Sequence, residues 1–338
     1  MTSSTISKSP LGVVRRRFAS MDQGYIVAGV LLALVVLFSV TLPGFSSTDN
    51  LLNAARSAST LGLLAIGMTV VVIARGLDLS VVIIMGVSCA MAVELMIAGH
   101  GELVSLAAGL LIALTLGLIN GLLVAYVEVP PLFVTLATSL LYLGFFRIFF
   151  LPKDQQAILS SATAMNWLGN GTVLGIPSPV LVLAVAAAAA TWFMSRNYGR
   201  FVRSQGDNPA AASLFGLPTR PLLVSTYLVS ASAAFIAGVV GVSVAGAYDL
   251  RAAATGTTLY DVIAVVVIGG VSLAGARGSI GGVVCAALLL GVIGNAMTLL
   301  NMSVIEQSLS KAFIVLLAIV LDSLLHPRDE ETARVGDM

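Results

Sequence analysis

Tyr25-Ile-Val-Ala-Gly-Val-Leu-Leu-Ala-Leu-Val-Val-Leu-Phe-Ser-Val-Thr-Leu42 carries no charge and follows Arg15-Arg-Arg17. An uncharged apolar run of this length is long enough for a helix to cross a bilayer core. The basic cluster in front of it superficially resembles the start of a secretory signal. No small-residue cleavage site precedes Pro43-Gly44, so the stretch reads as an uncleaved first span. The rest of the chain has the same character: 338 residues, 58% hydrophobic and 10% charged, with a mean hydropathy of +1.03. A soluble protein could not solvate that surface, so the expected fold class is an all-α polytopic membrane protein. No polar stretch is large enough to fold as a soluble domain.

Working outward from the first span, ten apolar segments are expected to cross: 24–42, 58–74, 79–98, 103–126, 131–151, 173–195, 222–247, 261–275, 280–301 and 309–325. The stretch 49–57 reads as an amphipathic approach at the interface. The eighth segment is short and broken by glycine, which leaves nine or eleven crossings as alternatives. With the N-terminus inside, alternate counting puts twelve of the 17 basic residues inside and five outside. That asymmetry predicts N-in and C-in. The expected organisation is one transmembrane permease domain, 24–325, between cytoplasmic tails 1–23 and 326–338. Segments 71–80 and 265–274 align loosely, so an internal repeat is an open reading.

Composition excludes several functions. The net charge of +1 offers nothing to nucleic acid. Cys89 and Cys285 lie in apolar runs and read as small buried residues, not a disulfide framework. His100 and His326 are the two histidines, so no histidine metal cluster or histidine-based catalytic site is available. Lys8, Lys153 and Lys311 follow Ser7, Pro152 and Ser310, whereas a phosphate-binding P-loop needs Gly before its Lys. The chain is therefore expected not to be an enzyme, and any coupling to ATP must come from another subunit. An ion-coupled carrier, the alternative function, would need carboxylates deep in the membrane. Asp78, Glu128 and Asp322 fall near the predicted inner surface, Asp261 near the outer, and Glu94 toward an outer helix end.

The most punctuated polar segment is Gly206-Asp-Asn-Pro-Ala-Ala-Ala-Ser-Leu-Phe-Gly-Leu-Pro218, inside the basic inner loop 196–221. Asn208 or Asp207 can cap a helix that opens at Pro209 and runs through Ala210, Ala211, Ala212, Leu214 and Phe215. Gly216 suits the left-handed position that ends it. So short a helix is not stable alone and must dock on something.

At Arg75-Gly-Leu-Asp-Leu-Ser80, Gly76 reads as the cap of the preceding helix and Asp78 as N-cap of the next. Thr135, Thr138, Ser139 and Tyr142 share one face of the fifth span. Their hydroxyls either bond back to the preceding turn or line a passage for a neutral hydroxylated solute, to which Asn120, Asn295 and Ser243 could add. Gly269-Gly270 and Gly275-Ala-Arg277-Gly278-Ser279 interrupt a short span, where a broken helix can expose backbone to a pathway.

In order and spacing, these motifs resemble the permease subunits of bacterial ABC importers for ribose, xylose, galactose and related sugars, a family that also includes autoinducer-derivative permeases. The similarity runs over about 58–325. It is carried by Gly67-Met-Thr-Val, Gly76-Leu-Asp-Leu-Ser80, Val129-Pro-Pro131, Phe133-Val-Thr-Leu-Ala-Thr138, Tyr198-Gly-Arg200, Gly206-Asp-Asn-Pro-Ala-Ala-Ala212, Asp261 through Gly270, and Gly275-Ala-Arg-Gly-Ser279. Arg75 departs from a Gly common in the family, and Val81-Val82 from a usual Val-Gly. The resemblance implies a dimer with a second copy or sister permease, a cytoplasmic ABC ATPase and an extracytoplasmic solute-binding protein. It implies that ATP and Mg are used by the ATPase, with no cofactor on this chain. It also implies that 209–215 is the helix coupling the permease to the ATPase in the inner (plasma) membrane. The basic flank 196–203 would equally attract anionic lipid.

Overall fold

The computed structural model describes residues 23–151, 164–248, 250 and 256–325. The basic cluster at 15–17, the C-terminal tail, and parts of the 152–172 and 249–260 loops lie outside the described residues. In chain order the elements are α1 (Gln23–Thr41), α2 (Thr48–Ile73), α3 (Val81–Ile97), α4 (Glu102–Ala125), α5 (Pro131–Phe149) and α6 (Ala164–Asn170). A hairpin of β1 (Thr172–Val173) and β2 (Ile176–Pro177) follows. Then come α7 (Ser178–Ser195), α8 (Asn197–Asp207), α9 (Pro209–Leu214), α10 (Thr219–Ala245), α11 (Thr257–Ile268), α12 (Ile280–Leu299) and α13 (Val304–Leu325). Among the described residues, α1, α2, α4, α5, α7, α10 and α12 are long and apolar enough to cross a membrane. The apolar α3 and α11 are shorter, at 17 and 12 residues.

The centre is made by α2 and α10. Helix α10 packs on α2, α3 and α4, while α12 packs on α1 and α2. Every residue from Leu63 to Ile73 is buried, whereas α1 buries Val27 alone. Lipid tails are as apolar as leucine, so close backbone approach substitutes for a hydrophobic driving force between helices. Gly67 shows how: a Cβ there would stand 2.8 Å from Ala233 Cβ and 3.1 Å from Ser230 Cα.

Several expectations are corrected. The stretch 49–57 is continuous with the second span as the first turns of α2, capped by Ser47, whose Oγ accepts from the Asn50 amide. The sixth span begins at Ser178 and not at 173, because 172–177 turns back through Leu174 and Gly175, both with positive φ. The basic loop 196–221 contains the amphipathic helix α8, which buries Gly199, Val202, Gln205 and Gly206. The eighth segment is α11, starting at Thr257 and closing at Ile268. At 1.5 Å per residue that helix is about 18 Å long, short of the ~30 Å hydrocarbon core.

Helix α2 ends differently from the expectation as well. The left-handed residue is Arg75 (φ 67°), not Gly76. The Arg75 amide donates to the Val72 carbonyl and the Gly76 amide to that of Val71, the two bonds of a Schellman closure. Helix α11 closes the same way, with Gly270 (φ 84°) donating to Val267 and Val271 to Val266. The N-cap position of α3 is held by Ser80, not Asp78, and that of α12 by Ser279. Two helix–turn–helix units therefore share one closing device, aligned one residue away from the register the sequence suggested.

Candidate functional site

Three features could carry function. The first is α9. The Asn208 Oδ1 accepts from the Ala211 amide at 2.9 Å, with Pro209 at the first helical position. Asp207 belongs to the last turn of α8, so Asn208 is the cap. At the other end Gly216 (φ 78°) donates to Ser213 and Leu217 to Ala212. Ala212 is buried, Ala211 half-buried and Ala210 exposed. Leu214 and Phe215 are 88% and 87% exposed. A helix sealed at both ends thus presents two large apolar side chains outward.

The root of α9 is wedged into the body. Gly206 sits where a Cβ would lie 1.9 Å from the Ile73 carbonyl oxygen and 2.7 Å from the Ala276 nitrogen. The Ala276 amide itself donates to Ile73 O at 2.9 Å. Gly275 (φ 95°) would place a Cβ 2.8 Å from Gly206 O and 3.2 Å from Arg75 Cβ. The end of α2, the end of α8 and the loop before α12 therefore meet backbone to backbone. Arg277 and Gly278 continue that loop, with the Arg277 carbonyl accepting from Ser272.

The second feature is a buried polar network. Asp78 Oδ1 accepts from the Ser80 amide (3.1 Å) and hydroxyl (2.6 Å), and Oδ2 from Ser230 (2.7 Å). Asn120 donates to Ser80 Oγ at 2.7 Å and accepts from Tyr142 at 3.0 Å. Asp78, Ser80, Asn120 and Ser230 are each at most 1% exposed. Among the described residues no cation pairs with Asp78. Burial pushes its carboxyl above the ordinary carboxylate range, and the bonds from Ser80 and Ser230 partly offset this.

Thr135 donates to Pro131 and Leu77 carbonyls, Thr138 to that of Thr135, and Ser139 to that of Leu136. These hydroxyls make the back-bonds weighed above, and Thr135 also ties α5 to the α2–α3 turn through Leu77 O. Of the residues read as pathway lining, Asn120, Thr135, Thr138, Ser139 and Tyr142 come together in this packed layer. Gly269 caps α11 against the Val283 backbone of α12, and Gly270 lies against Gln23.

Asn295 belongs to the third feature, a groove of about 420 Å³ bounded by α2, α11, α12 and α13. Its polar wall includes Asn53, Ser57, Asp261, Asn295, Gln307 and Lys311, and its floor includes Ala58 and Gly291. Lys311 Nζ stands 2.7 Å from Asp261 Oδ2, both partly buried. Asn295 exchanges two amide hydrogen bonds with Asn50, at 2.8 and 2.9 Å. Residues 245 apart in sequence gave no signal of this convergence, and Asn53, Gln307 and Lys311 were not singled out. One signal was legible and missed: Ser303-Val-Ile-Glu306 is a capping box that starts α13 at 304 instead of 309.

Residues 50–321 match the family described as branched-chain amino acid transport system / permease component, and the chain belongs to that family. It is 32% identical over 329 residues to the ribose import permease protein RbsC of Escherichia coli (strain K12), covering 96% of this chain and 99% of that protein. It is 31% identical over 300 residues to the L-arabinose ABC transporter permease protein AraH of Azospirillum brasilense, covering 87% of each. Identity is also 31% over 310 residues to the autoinducer 2 import system permease protein LsrC of Shigella flexneri, at 90% and 89% coverage. No solved structure matches the chain. The resemblance drawn from the motifs agrees with these matches.

Proposed function

From membership in that permease family, we propose that the chain is the multi-pass inner-membrane permease of an ATP-driven importer for a neutral sugar or sugar-like solute. Its relatives are named as ribose, arabinose and autoinducer 2 permeases, which favours this reading over an ion-coupled carrier. The membrane domain spans 24–325 and crosses ten times, with both tails, 1–23 and 326–338, in the cytoplasm. Helix α9 is the coupling helix. The chain binds no cofactor and hydrolyses nothing itself. A separate cytoplasmic ATPase uses ATP and Mg, an extracytoplasmic binding protein delivers the solute, and a second copy or sister permease completes the pair.

The observation that carries this reading is the form of α9. Two exposed apolar side chains, Leu214 and Phe215, project from a doubly capped helix whose root at Gly206 touches both α2 and the loop before α12. Such a pair fits an apolar groove on a partner, and the rigid root transmits the partner's closure into the bundle. Asp207 and 208–212 form the stalk of that lever. The basic flank with Arg196 and Arg200 lies beside it and faces anionic lipid.

Replacing 209–212 with a Gly/Ser stretch, or Leu214 and Phe215 with Asp, tests the assignment in the assembled complex. The expected result is loss of ATP-driven uptake and weaker co-purification of the ATPase, while the permease still inserts. Unchanged solute uptake in these variants would sink it.

A further inference from the structure

The groove bounded by α2, α11, α12 and α13 lies at the opposite end of α2 from the α9 root. We propose that it is the solute-contacting section of the passage, built for a neutral polyhydroxylated molecule. The inference rests on the function proposed above and adds the site and its chemistry.

The groove's side chains match hydroxyl groups. A hydroxyl both donates and accepts, and so do the carboxamides of Asn53, Asn295 and Gln307. Asn295 is held in place by its reciprocal pair with Asn50, which uses one donor and one acceptor and leaves another of each for a ligand. The one carboxylate and one ammonium, Asp261 and Lys311, are already paired at 2.7 Å. A charged solute would have to split that pair, whereas a neutral one can bridge it. Such groups on four facing helices converge on a cleft with a floor of small residues.

The groove also connects mechanically to the α9 root. Its walls are the far ends of α2 and of α11–α12, which are joined at their near ends by the Ala276–Ile73 hydrogen bond against Gly206. From Ser57 to Ile73 is about 24 Å along the helix axis. A small tilt at the junction therefore widens or narrows the groove.

Gly294 gives a clean test. It lines the groove, and a Cβ placed there meets nothing within 4 Å. A methyl group at 294 thus has open space, and larger side chains there take up groove volume. In proteoliposomes holding the full complex, ATP-dependent uptake of radiolabelled D-ribose, L-arabinose, D-xylose and D-galactose is measured for the parent. The accumulated sugar is then followed in Gly294→Ala, Gly294→Val and Gly294→Phe. Uptake should fall progressively with side-chain size, by about tenfold or more for Gly294→Phe, with the complex intact and ATPase activity retained. Gly144 in α5 also has open space at its Cβ position, and Gly144→Phe should keep parent uptake.

Parent-level uptake in Gly294→Phe overturns the groove assignment and leaves the permease reading standing. Dissociation of the permease pair by Gly294→Phe makes the groove an interface between copies and equally overturns it. A parent complex that accumulates none of these sugars with ATP overturns the proposed function and this assignment together.

Discussion

The Ala276 amide donates to the carbonyl of Ile73 across 2.9 Å, joining the end of the central helix α2 to the loop that precedes α12. Gly206 stands against both groups at the last turn before α9. An oxygen at a helix end that already accepts a bond leaves no room for a side chain. Gly206→Ala should lower stability by about 1–3 kcal/mol through overpacking against rigid backbone. Thermal unfolding in detergent measures this, and binding-protein-stimulated ATPase activity should fall further than the stability loss explains. Gly216→Ala, where nothing lies within 4 Å but φ is 78°, should cost about 1 kcal/mol without shifting α2.

Arg75 occupies a left-handed position that costs a non-glycine residue roughly 1–2 kcal/mol, and the Schellman bonds around it are backbone bonds. Arg75→Gly should therefore raise the melting temperature, with a gain of about 1 kcal/mol after the glycine's greater unfolded-state entropy is offset. A lower melting temperature would mean that the Arg75 side chain contributes more than its backbone strain costs.

Asp78 is buried without a cation among the described residues. Its carboxyl titrates above the ordinary value in the folded state. The unfolded state therefore releases this proton at lower pH than the folded state does. Asp78 accordingly favours folding most strongly below its unfolded value, and that contribution is lost as pH rises through the raised folded value. Asp78→Asn keeps the shape and removes the charge. It should flatten this pH dependence and cost about 1 kcal/mol or less at neutral pH. Asp78→Leu strands Ser80 and Ser230 and should cost about 2–3 kcal/mol. Melting curves across a pH series separate the two.

Asn50 and Asn295 exchange two hydrogen bonds between α2 and α12. Each single change to Ala should destabilise more than its share of the double variant, because it leaves a partner amide unpaired. A double-mutant cycle should give a coupling of about 1 kcal/mol. Additive effects would mean the pair contributes nothing in the folded state.

The exposed pair Arg220–Glu128, 2.6 Å apart with side chains 56% and 68% exposed, should by contrast matter little. Arg220→Ala is expected to change stability by less than about 0.5 kcal/mol. A larger loss would point to packing of the guanidinium on the Tyr126 ring, whose centroid lies 5.7 Å away.

What was legible in the sequence was local. The caps of α9 read correctly from Asn208-Pro209 and Gly216, because capping depends on residues within one turn. The apolar runs located the helices of the membrane domain, six of them within about three residues at each end, but α2 began ten residues earlier than its run, α7 and α13 differed at their starts, and α11 closed seven residues before its run ended. At 172–177 a hairpin replaced the start of a span, and at Arg75 a non-glycine took the left-handed position expected of its neighbour. Helix α8 was missed because its charge drew attention to the loop and away from the face that buries Gly199, Val202 and Gly206.

By itself the sequence determined a polytopic helical membrane chain with a short, capped helix set in a basic segment. Apolar run length, terminal residues and charge asymmetry each act over one helix or one loop. Only the tertiary structure decided which polar groups face one another. It buried Asp78 under Ser80, Ser230 and Asn120 and back-bonded the α5 hydroxyls. It also gathered Asn295, Asp261 and Lys311 into a groove at the far end of α2 from Gly206. Those pairings join residues far apart in the chain, and they follow from how the helices stack, which no local pattern encodes.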